Sequence, residues 1–347
     1  MPIWNDLRLE LNQRQAELGL SASDIIRREQ MKAMADHTGR PLIVYAAEFM
    51  NQIEKARLAG SDIQIALSDK EGFIEVMENL PPGPLDLILH SAGGNPLAAE
   101  SIVSLLRSKF DHIRVFVPNV AKSAATMLAL SGDVVAMDER GELGPIDPQM
   151  IITRDQQTIV SPAQGILDEF ERAREEVQKD QGKLPGWLPI LRQYGPSLLV
   201  EAENAIELSK QLVQNWLVQY MFKDDSEREA HARAITSYFG DHNNFRSHGR
   251  MVGISEVTAQ GVKVLDLRTD PELRRLVWRL YTAISLTLDR TSAFKLIENN
   301  LGQAYIRLVQ QVQIAGQPAR VAPPTPTEQP MSRQQRRAEE RAQAKRK

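Results

Sequence analysis

The spacing of apolar and polar residues changes near residue 41. Residues 2–35 have apolar positions at helical spacing, with a break near Gly19 and a cap at Ser23 or Asp24, and residues 39–41 end this arm. Short apolar runs then alternate with amphipathic stretches. This alternation predicts an α/β domain with a mainly parallel sheet.

The α/β region can be divided into individual elements. Strands are predicted at residues 42–46, 63–67, 85–90, 113–117, 134–137 and 262–265, and helices at 70–79, 96–109, 123–130 and through much of 162–239. The segments 91–95 and 119–123 lie where strands end and helices begin. Helix amino termini expose unpaired N–H groups at such junctions, so these two segments are the first candidates for a ligand site.

The carboxy-terminal third returns to helical spacing. Residues 271–312 predict one or two amphipathic helices with an apolar face that needs a partner surface, formed by Leu276, Val277, Leu280 and Tyr281. Five prolines between residues 318 and 330 predict an extended linker, and the basic stretch 332–347 predicts a disordered tail. The expected organisation is a helical arm (1–40), the α/β domain (41–270), carboxy-terminal helices (271–316), and the linker and tail (317–347).

Composition narrows the function classes. The 347 residues carry a net charge of −3 and no cysteine, which excludes disulfides, a thiol nucleophile and cysteine-bound metal, and favours the cytoplasm. No apolar run reaches the roughly 20 residues of a membrane helix, so a soluble protein is expected. The six histidines show no metal-ligand spacing, and no phosphate-binding loop is present. We therefore expect neither a metal nor any other cofactor.

Two segments have the residues that acyl-transfer chemistry needs. The strand at 85–90 runs into Gly93 and Gly94, which allow a tight turn and also leave backbone N–H groups open to an anionic oxygen. Ser123 begins a helix of small residues after the next strand. Its hydroxyl is open to a substrate backbone, although a helix cap is the alternative role for this serine.

Four blocks of the sequence belong together: His90-Ser91-Ala92-Gly93-Gly94, Ala121-Lys122-Ser123-Ala124-Ala125-Thr126-Met127, Leu143-Gly144-Pro145-Ile146-Asp147-Pro148-Gln149, and Ser247-His248-Gly249-Arg250. In this order they resemble the serine dehydrogenase proteinase family, which belongs to the Clp/crotonase-like superfamily and is related to signal peptide peptidase A. The resemblance extends over most of the chain, from about residue 35 to residue 310. It departs from the family at Ala92, where proline is usual, and at Ala125, where glycine is usual.

The resemblance implies a fold and an activity. The fold is a crotonase/Clp-like spiral of ββα units with a mainly parallel sheet, extended by the helical arm and the carboxy-terminal helices. The activity is hydrolysis of peptide bonds by a serine peptidase. Ser123 is the implied nucleophile, and the backbone of Gly93, Gly94 and Ala124 is the implied oxyanion hole.

The base that activates the serine is less well defined. Clp-type enzymes place a histidine at the third block, which here has Asp147 and no histidine. Relatives of signal peptide peptidase A use a downstream lysine, which implies Lys183, with apolar neighbours that would desolvate its amine, or Lys179. His248 remains an alternative base. Asp147 would orient the base or cap a turn, and His90 would bond the glycine loop.

Other functions stay open at this point. An acyl-CoA enzyme on the same fold would use the same oxyanion hole, and a catalytically weak scaffold would bind partners through its basic tail. The tail is short and lacks interleaved aromatic residues, so a nucleic-acid partner is not expected. We expect a polypeptide substrate and a homo-oligomer, because crotonase-like domains generally complete their sites by packing against neighbours.

Overall fold

A seven-stranded sheet forms the centre of the computed structural model, which describes residues 3–19, 22–154 and 157–309. Residues up to 309 form one compact unit, so the expected boundaries at 40 and 270 fall inside it. The linker and tail expected at 317–347 lie outside the described residues. The strands are β1 (Leu42–Ala47), β2 (Gly83–His90), β3 (Phe110–Phe116), β4 (Val120–Ala121), β5 (Val134–Met137), β6 (Glu142–Leu143), β7 (Gln149–Arg154), β8 (Gln157–Pro162), β9 (Val264–Asp266), β10 (Ala293–Asn299) and β11 (Ala304–Leu308).

Helices surround this sheet. In chain order they are α1 (Ile3–Leu18), α2 (Ala22–Thr38), α3 (Ile53–Ala59), α4 (Asp69–Met77), α5 (Pro96–Arg107), α6 (Ala124–Leu130), α7 (Ala163–Lys179), α8 (Leu184–Leu191), α9 (Leu198–Trp216), α10 (Arg228–Gly240), α11 (His242–Phe245), α12 (Ile254–Ala259) and α13 (Pro271–Arg290).

The sheet has the order β11-β10-β1-β2-β3-β5-β9. Five strands, from β1 to β9, are parallel, and β10 and β11 add an antiparallel edge. Both faces are buried, which explains the continuous apolar runs of the parallel strands. One face packs under α4, α5 and α6, and the other packs under α2 and α13. The predicted α/β class with a mainly parallel sheet is confirmed.

The carboxy-terminal segment differs from its prediction. Helix α13 is present, but residues 293–308 form strands β10 and β11, so the helical prediction is wrong beyond Arg290. Strand β10 is buried along its whole length and contains Lys295 and Glu298 in buried ion pairs, which conceals the alternation typical of a strand. The apolar face of α13 packs against α2 and β1 of the same chain, so its apolar positions are already covered.

The strand predicted at residues 63–67 is also wrong. A 3-10 turn ends at Ile63, and Ile65 then makes a single bridge to Gly94 instead of joining the sheet. Ile65 pairs with the glycine loop, Ile63 packs against Ala47 and Phe294, and Leu67 is exposed. The β7–β8 hairpin was not predicted from the sequence, and its residues line the cavity that contains Ser123.

Candidate active site

Ser123 lies at a sharp junction between a strand and a helix. Strand β4 ends at Ala121, and α6 begins at Ala124. Between them Ser123 has φ 52° and ψ −124°, in a region that residues other than glycine seldom adopt. Backbone strain of this kind is concentrated at functional sites, and a strained serine between strand and helix is the geometry of a nucleophile elbow. The Ser123 hydroxyl makes no hydrogen bond within the described part of the chain.

The glycine loop lies beside this serine. Gly93 and Gly94 have φ 102° and 152°. Ile65 fixes both sides of the loop, because its N–H donates to Gly93 O at 2.8 Å and its carbonyl accepts from Asn95 N–H at 2.9 Å. The Gly93 N–H donates to Ser91 Oγ at 3.1 Å. Among the residues that the structure describes, the N–H groups of Gly94 and Ala124 donate to no acceptor.

A buried carboxylate joins two histidines near the same cavity. Asp147 is only 3% exposed, and its Oδ1 and Oδ2 lie 2.8 Å from His248 Nδ1 and 2.9 Å from His242 Nδ1. The loop that holds Asp147 is fixed to α10 by a 2.9 Å hydrogen bond from Ile146 N–H to Phe239 O. Because Nδ1 of His248 is occupied by Asp147, its Nε2 is the nitrogen available to a substrate or nucleophile.

Ser123 and His248 line one cavity of about 440 Å³. The glycine loop forms one wall, and the β7–β8 hairpin forms another with Met150, Ile151 and Val160. Ile151 and Val160 are 68% and 58% exposed, so the hairpin presents apolar side chains beside the opening. The cavity therefore combines a polar reacting edge with an apolar lining.

The structure does not bring the predicted lysines to this cavity. Lys183 is 51% exposed, lies 3.6 Å from Glu176 and lines a separate surface pocket with Trp187. Lys179 is 78% exposed and lies 3.7 Å from Glu175. Both amines therefore remain in contact with solvent.

Lys122 precedes the serine, but its amine is engaged elsewhere. It donates to Leu143 O at 3.0 Å and to Arg250 O at 3.2 Å, and it lies 3.1 Å from Glu142. These contacts join the serine segment to the two loops that contain Asp147 and His248. Lys122 therefore has a clear structural role.

His90 is buried and contacts the strand that precedes Ser123. Its Nδ1 lies 3.4 Å from the Val120 N–H, and its ring packs against Phe49 and Tyr281. Burial lowers the pKa of His90 to about 4, so the ring is neutral at physiological pH. It contacts the strand before Ser123 and is absent from the residues that line the cavity.

His242 is the site residue that the sequence analysis missed. It begins α11, which Asp241 caps by accepting from Asn243 N–H at 2.9 Å. The only local signal is a second histidine six residues before His248, beyond the end of a helix. Nothing in the spacing connects this pair to Asp147, about a hundred residues earlier.

Other kinds of site were also considered. Over the ranges described, no cluster of three or more His, Asp or Glu side chains is arranged to hold a metal ion. The same residues include no helix with the length and apolarity to cross a bilayer.

The site combines a strained serine, an imidazole that lines the same cavity, and backbone N–H groups without acceptors among the described residues. Residues 46–184 match the family model of ClpP-like SDH-type serine proteinases. The match confirms the family resemblance, and it includes the glycine loop, Ser123 and Asp147. His242 and His248 lie beyond the matched segment.

Similar proteins are known from an archaeon and among solved structures. One uncharacterized protein of Methanocaldococcus jannaschii is 40% identical over 87 residues, which is 25% of this chain and 30% of that protein. A second from the same organism is 32% identical over 117 residues, 33% of this chain and 37% of its own length. The chain thus spans about a third of each of these relatives.

Two structures of the membrane-bound stomatin-specific protease 1510-N are also similar. A mutant in complex with a substrate peptide has 15% identity and a TM-score of 0.35, over 58% of this chain and 70% of that one. A second mutant has 14% identity and a TM-score of 0.34, over 61% and 79%.

Proposed function

We propose that this chain is a serine peptidase in which Ser123 is the nucleophile, His248 the general base and Asp147 the residue that orients the base. The observation that supports this most strongly is the position of His248, which lines the cavity of Ser123 while its Nδ1 is hydrogen-bonded to the buried Asp147. The order along the chain is serine, aspartate, histidine. Such triads are recognised by geometry and not by sequence order.

Each residue would have a defined part in the reaction. His248 Nε2 takes the proton of the Ser123 hydroxyl as its oxygen attacks the peptide carbonyl, and Asp147 stabilises the resulting imidazolium. The carbonyl oxygen becomes an anion and accepts from the free N–H groups of Gly94 and Ala124. His248 then gives its proton to the leaving amine, and water hydrolyses the acyl-enzyme by the same route.

The choice of His248 over Lys183 rests on solvation. A lysine acts as a base at neutral pH only if burial or positive neighbours lower its pKa. Lys183 is half exposed and lies 3.6 Å from the carboxylate of Glu176, so its amine is not buried. A neutral imidazole, in contrast, needs only a suitable partner at Nδ1, and Asp147 provides one.

The ligand-free geometry agrees with these roles but lacks the hydrogen bond between the nucleophile and the base. Within the described residues, Ser123 Oγ is not hydrogen-bonded to His248. Catalytic hydrogen bonds are often long in ligand-free structures and shorten when substrate binds. We therefore propose that a bound polypeptide closes the gap between the hydroxyl and the imidazole.

We also propose a substrate type, an oligomeric state and a cellular location for this protein. A polypeptide with an apolar side chain would match the cavity lining of Met127, Ile146, Met150 and Val160. A homo-oligomer and a cytoplasmic location remain predictions. Light scattering tests the first of them, because a monomeric mass at working concentration would contradict it.

The proposed activity is tested with two substrates and two variants. Wild-type protein should release fragments from dye-labelled casein, Ser123→Ala should not, and Ser131→Ala should behave as the parent. Ser131 is the matched control, because it follows the same helix and its hydroxyl donates to Leu128 O within that helix. Turnover of an acyl-CoA thioester without casein cleavage would favour the acyl-CoA enzyme, and inactivity towards both would favour the scaffold.

A further inference from the structure

Asp147 uses both of its carboxylate oxygens on imidazoles. His248 occupies Oδ1 at 2.8 Å and His242 occupies Oδ2 at 2.9 Å, each through Nδ1. An ionised carboxylate only accepts hydrogen bonds, so each imidazole must donate through Nδ1–H. A single catalytic triad needs one of these histidines, and the role of the second is unassigned.

The surroundings of His242 show that it is held in place. Its side chain is 17% exposed, against 25% for His248, and α11 positions it directly beside the carboxylate. Gln149 Nε2 also donates to Oδ2, at the longer distance of 3.3 Å. The orientation of the Asp147 carboxylate is thus determined mainly by His242 on one oxygen and His248 on the other.

We propose that His242 is a positioning residue of the peptidase site, which fixes the Asp147 carboxylate and limits how strongly that carboxylate holds the His248 proton. This inference rests on the proposed function. A carboxylate that serves a second donor is a weaker acceptor for the first. Removal of His242 would leave Oδ2 with only the longer contact from Gln149 among the described side chains.

Several charged groups on the loops around the two histidines are already paired. Lys122 lies near Glu142, and Arg250 lies 3.7 Å from Glu256. Asp241 caps the helix that His242 begins. These groups are the same in the parent and in a His242 variant, so a change in pH dependence reports on the shared carboxylate.

Two substitutions separate positioning from simple packing. His242→Leu removes the donor, whereas His242→Asn keeps an N–H close to the position of Nδ1. The probe is a fluorophosphonate that labels active serines, and its labelling rate is measured between about pH 5 and pH 9. His37→Leu is the matched control, because His37 is an exposed histidine 3.9 Å from Asp270, on a different part of the chain.

The expected result has three parts. His242→Leu should label about 10- to 100-fold more slowly, by analogy with the cost of removing outer partners of metal-bound histidines. The acid limb of its pH profile should move upward, because His248 then has fewer competitors for the Asp147 carboxylate. His242→Asn should recover most of the rate, and His37→Leu should match the parent.

Two results would overturn the inference. The first is a slower His242→Leu variant with an unmoved acid limb and no recovery in His242→Asn, which would indicate packing alone. The second is a His242→Leu variant that labels like the parent. Parental labelling in His248→Ala would instead refute the proposed base, so the two failures can be distinguished.

Discussion

Gly93 packs directly against the side chain of Ser123 and the backbone on either side of it. A Cβ on this glycine would lie 2.7 Å from the Ser123 Cβ and 2.5 Å from Lys122 O, closer than real Cβ contacts allow. Glycine is therefore required at this position for two reasons. The glycine loop approaches the chain around Ser123 too closely for a Cβ, and φ is 102°, which other residues seldom adopt.

Gly93→Ala should inactivate the site without unfolding the protein. The added methyl group forces the glycine loop away from Ser123, and loss of one oxyanion donor costs about 10²- to 10³-fold in rate. Gly83→Ala is the matched control, because Gly83 has φ 113° but nothing near its Cβ position. Casein cleavage by purified variants checks this expectation, and equal activity in the two variants would show that the close approach is unimportant.

The identity of the base is tested by a pair of substitutions. His248→Ala should lower the rate by about 10²- to 10⁴-fold, the usual contribution of a general base. Lys183→Met should leave it within about twofold, because surface substitutions away from a site have small effects. Steady-state cleavage rates measure both. A slow Lys183→Met variant beside an active His248→Ala variant would transfer the role to the lysine.

The stability of the fold should fall in mild acid because of His90. Burial lowers its folded-state pKa to about 4 from 6.5, so between these values the unfolded chain binds a proton that the folded chain does not. The contribution of neutral His90 to the free energy of unfolding is fully present above pH 6.5. It falls by up to about 3 kcal/mol as the pH falls toward 4.

Urea unfolding at neutral and acidic pH measures this effect. His90→Phe keeps the aromatic packing and cannot be protonated, so its free energy of unfolding should depend less on pH than that of the parent. His37→Phe changes an exposed histidine and should keep the parental dependence. If the free energy of unfolding depended on pH equally in all three proteins, His90 would not be the cause of the dependence.

A buried ion pair lies next to the segment that is hydrogen-bonded to the glycine loop. Lys295 Nζ lies 2.7 Å from Asp69 Oδ1 and donates to Gln64 O at 2.7 Å, beside the residue that bonds the loop. Lys295→Met should lower the free energy of unfolding by about 3–5 kcal/mol, because Asp69 is left buried without its partner. Lys32→Met breaks an exposed pair and should cost less than about 1 kcal/mol. Equal costs in chemical denaturation would contradict this account.

The local parts of the site could be predicted from the sequence. A strand followed by two glycines, and a strand followed by a serine and small residues, identify the loop and Ser123 within a few positions. The family blocks also selected Asp147 and His248. The pairing of these two residues could not be predicted, because it joins segments about a hundred residues apart through a fold that the sequence pattern does not specify.

The preference for Lys183 shows how local composition can mislead. Its neighbours Leu184, Pro185 and Trp187 are apolar, which predicted a desolvated amine. In the structure α8 lies at the surface and Leu184 is itself 39% exposed, so these neighbours do not bury the lysine. Strands β10 and β11 were not predicted. Strand β10 is a core strand, but its residues in buried ion pairs give it a polar sequence.

The most direct test of the account is the site of covalent labelling by a fluorophosphonate probe, located by mass spectrometry of the digested protein. The central claim is that Ser123 is an activated nucleophile. The account predicts one adduct, on the peptide that contains Ser123, which disappears in Ser123→Ala and persists in Ser131→Ala. An adduct on another serine, or undiminished labelling of Ser123→Ala, would contradict it.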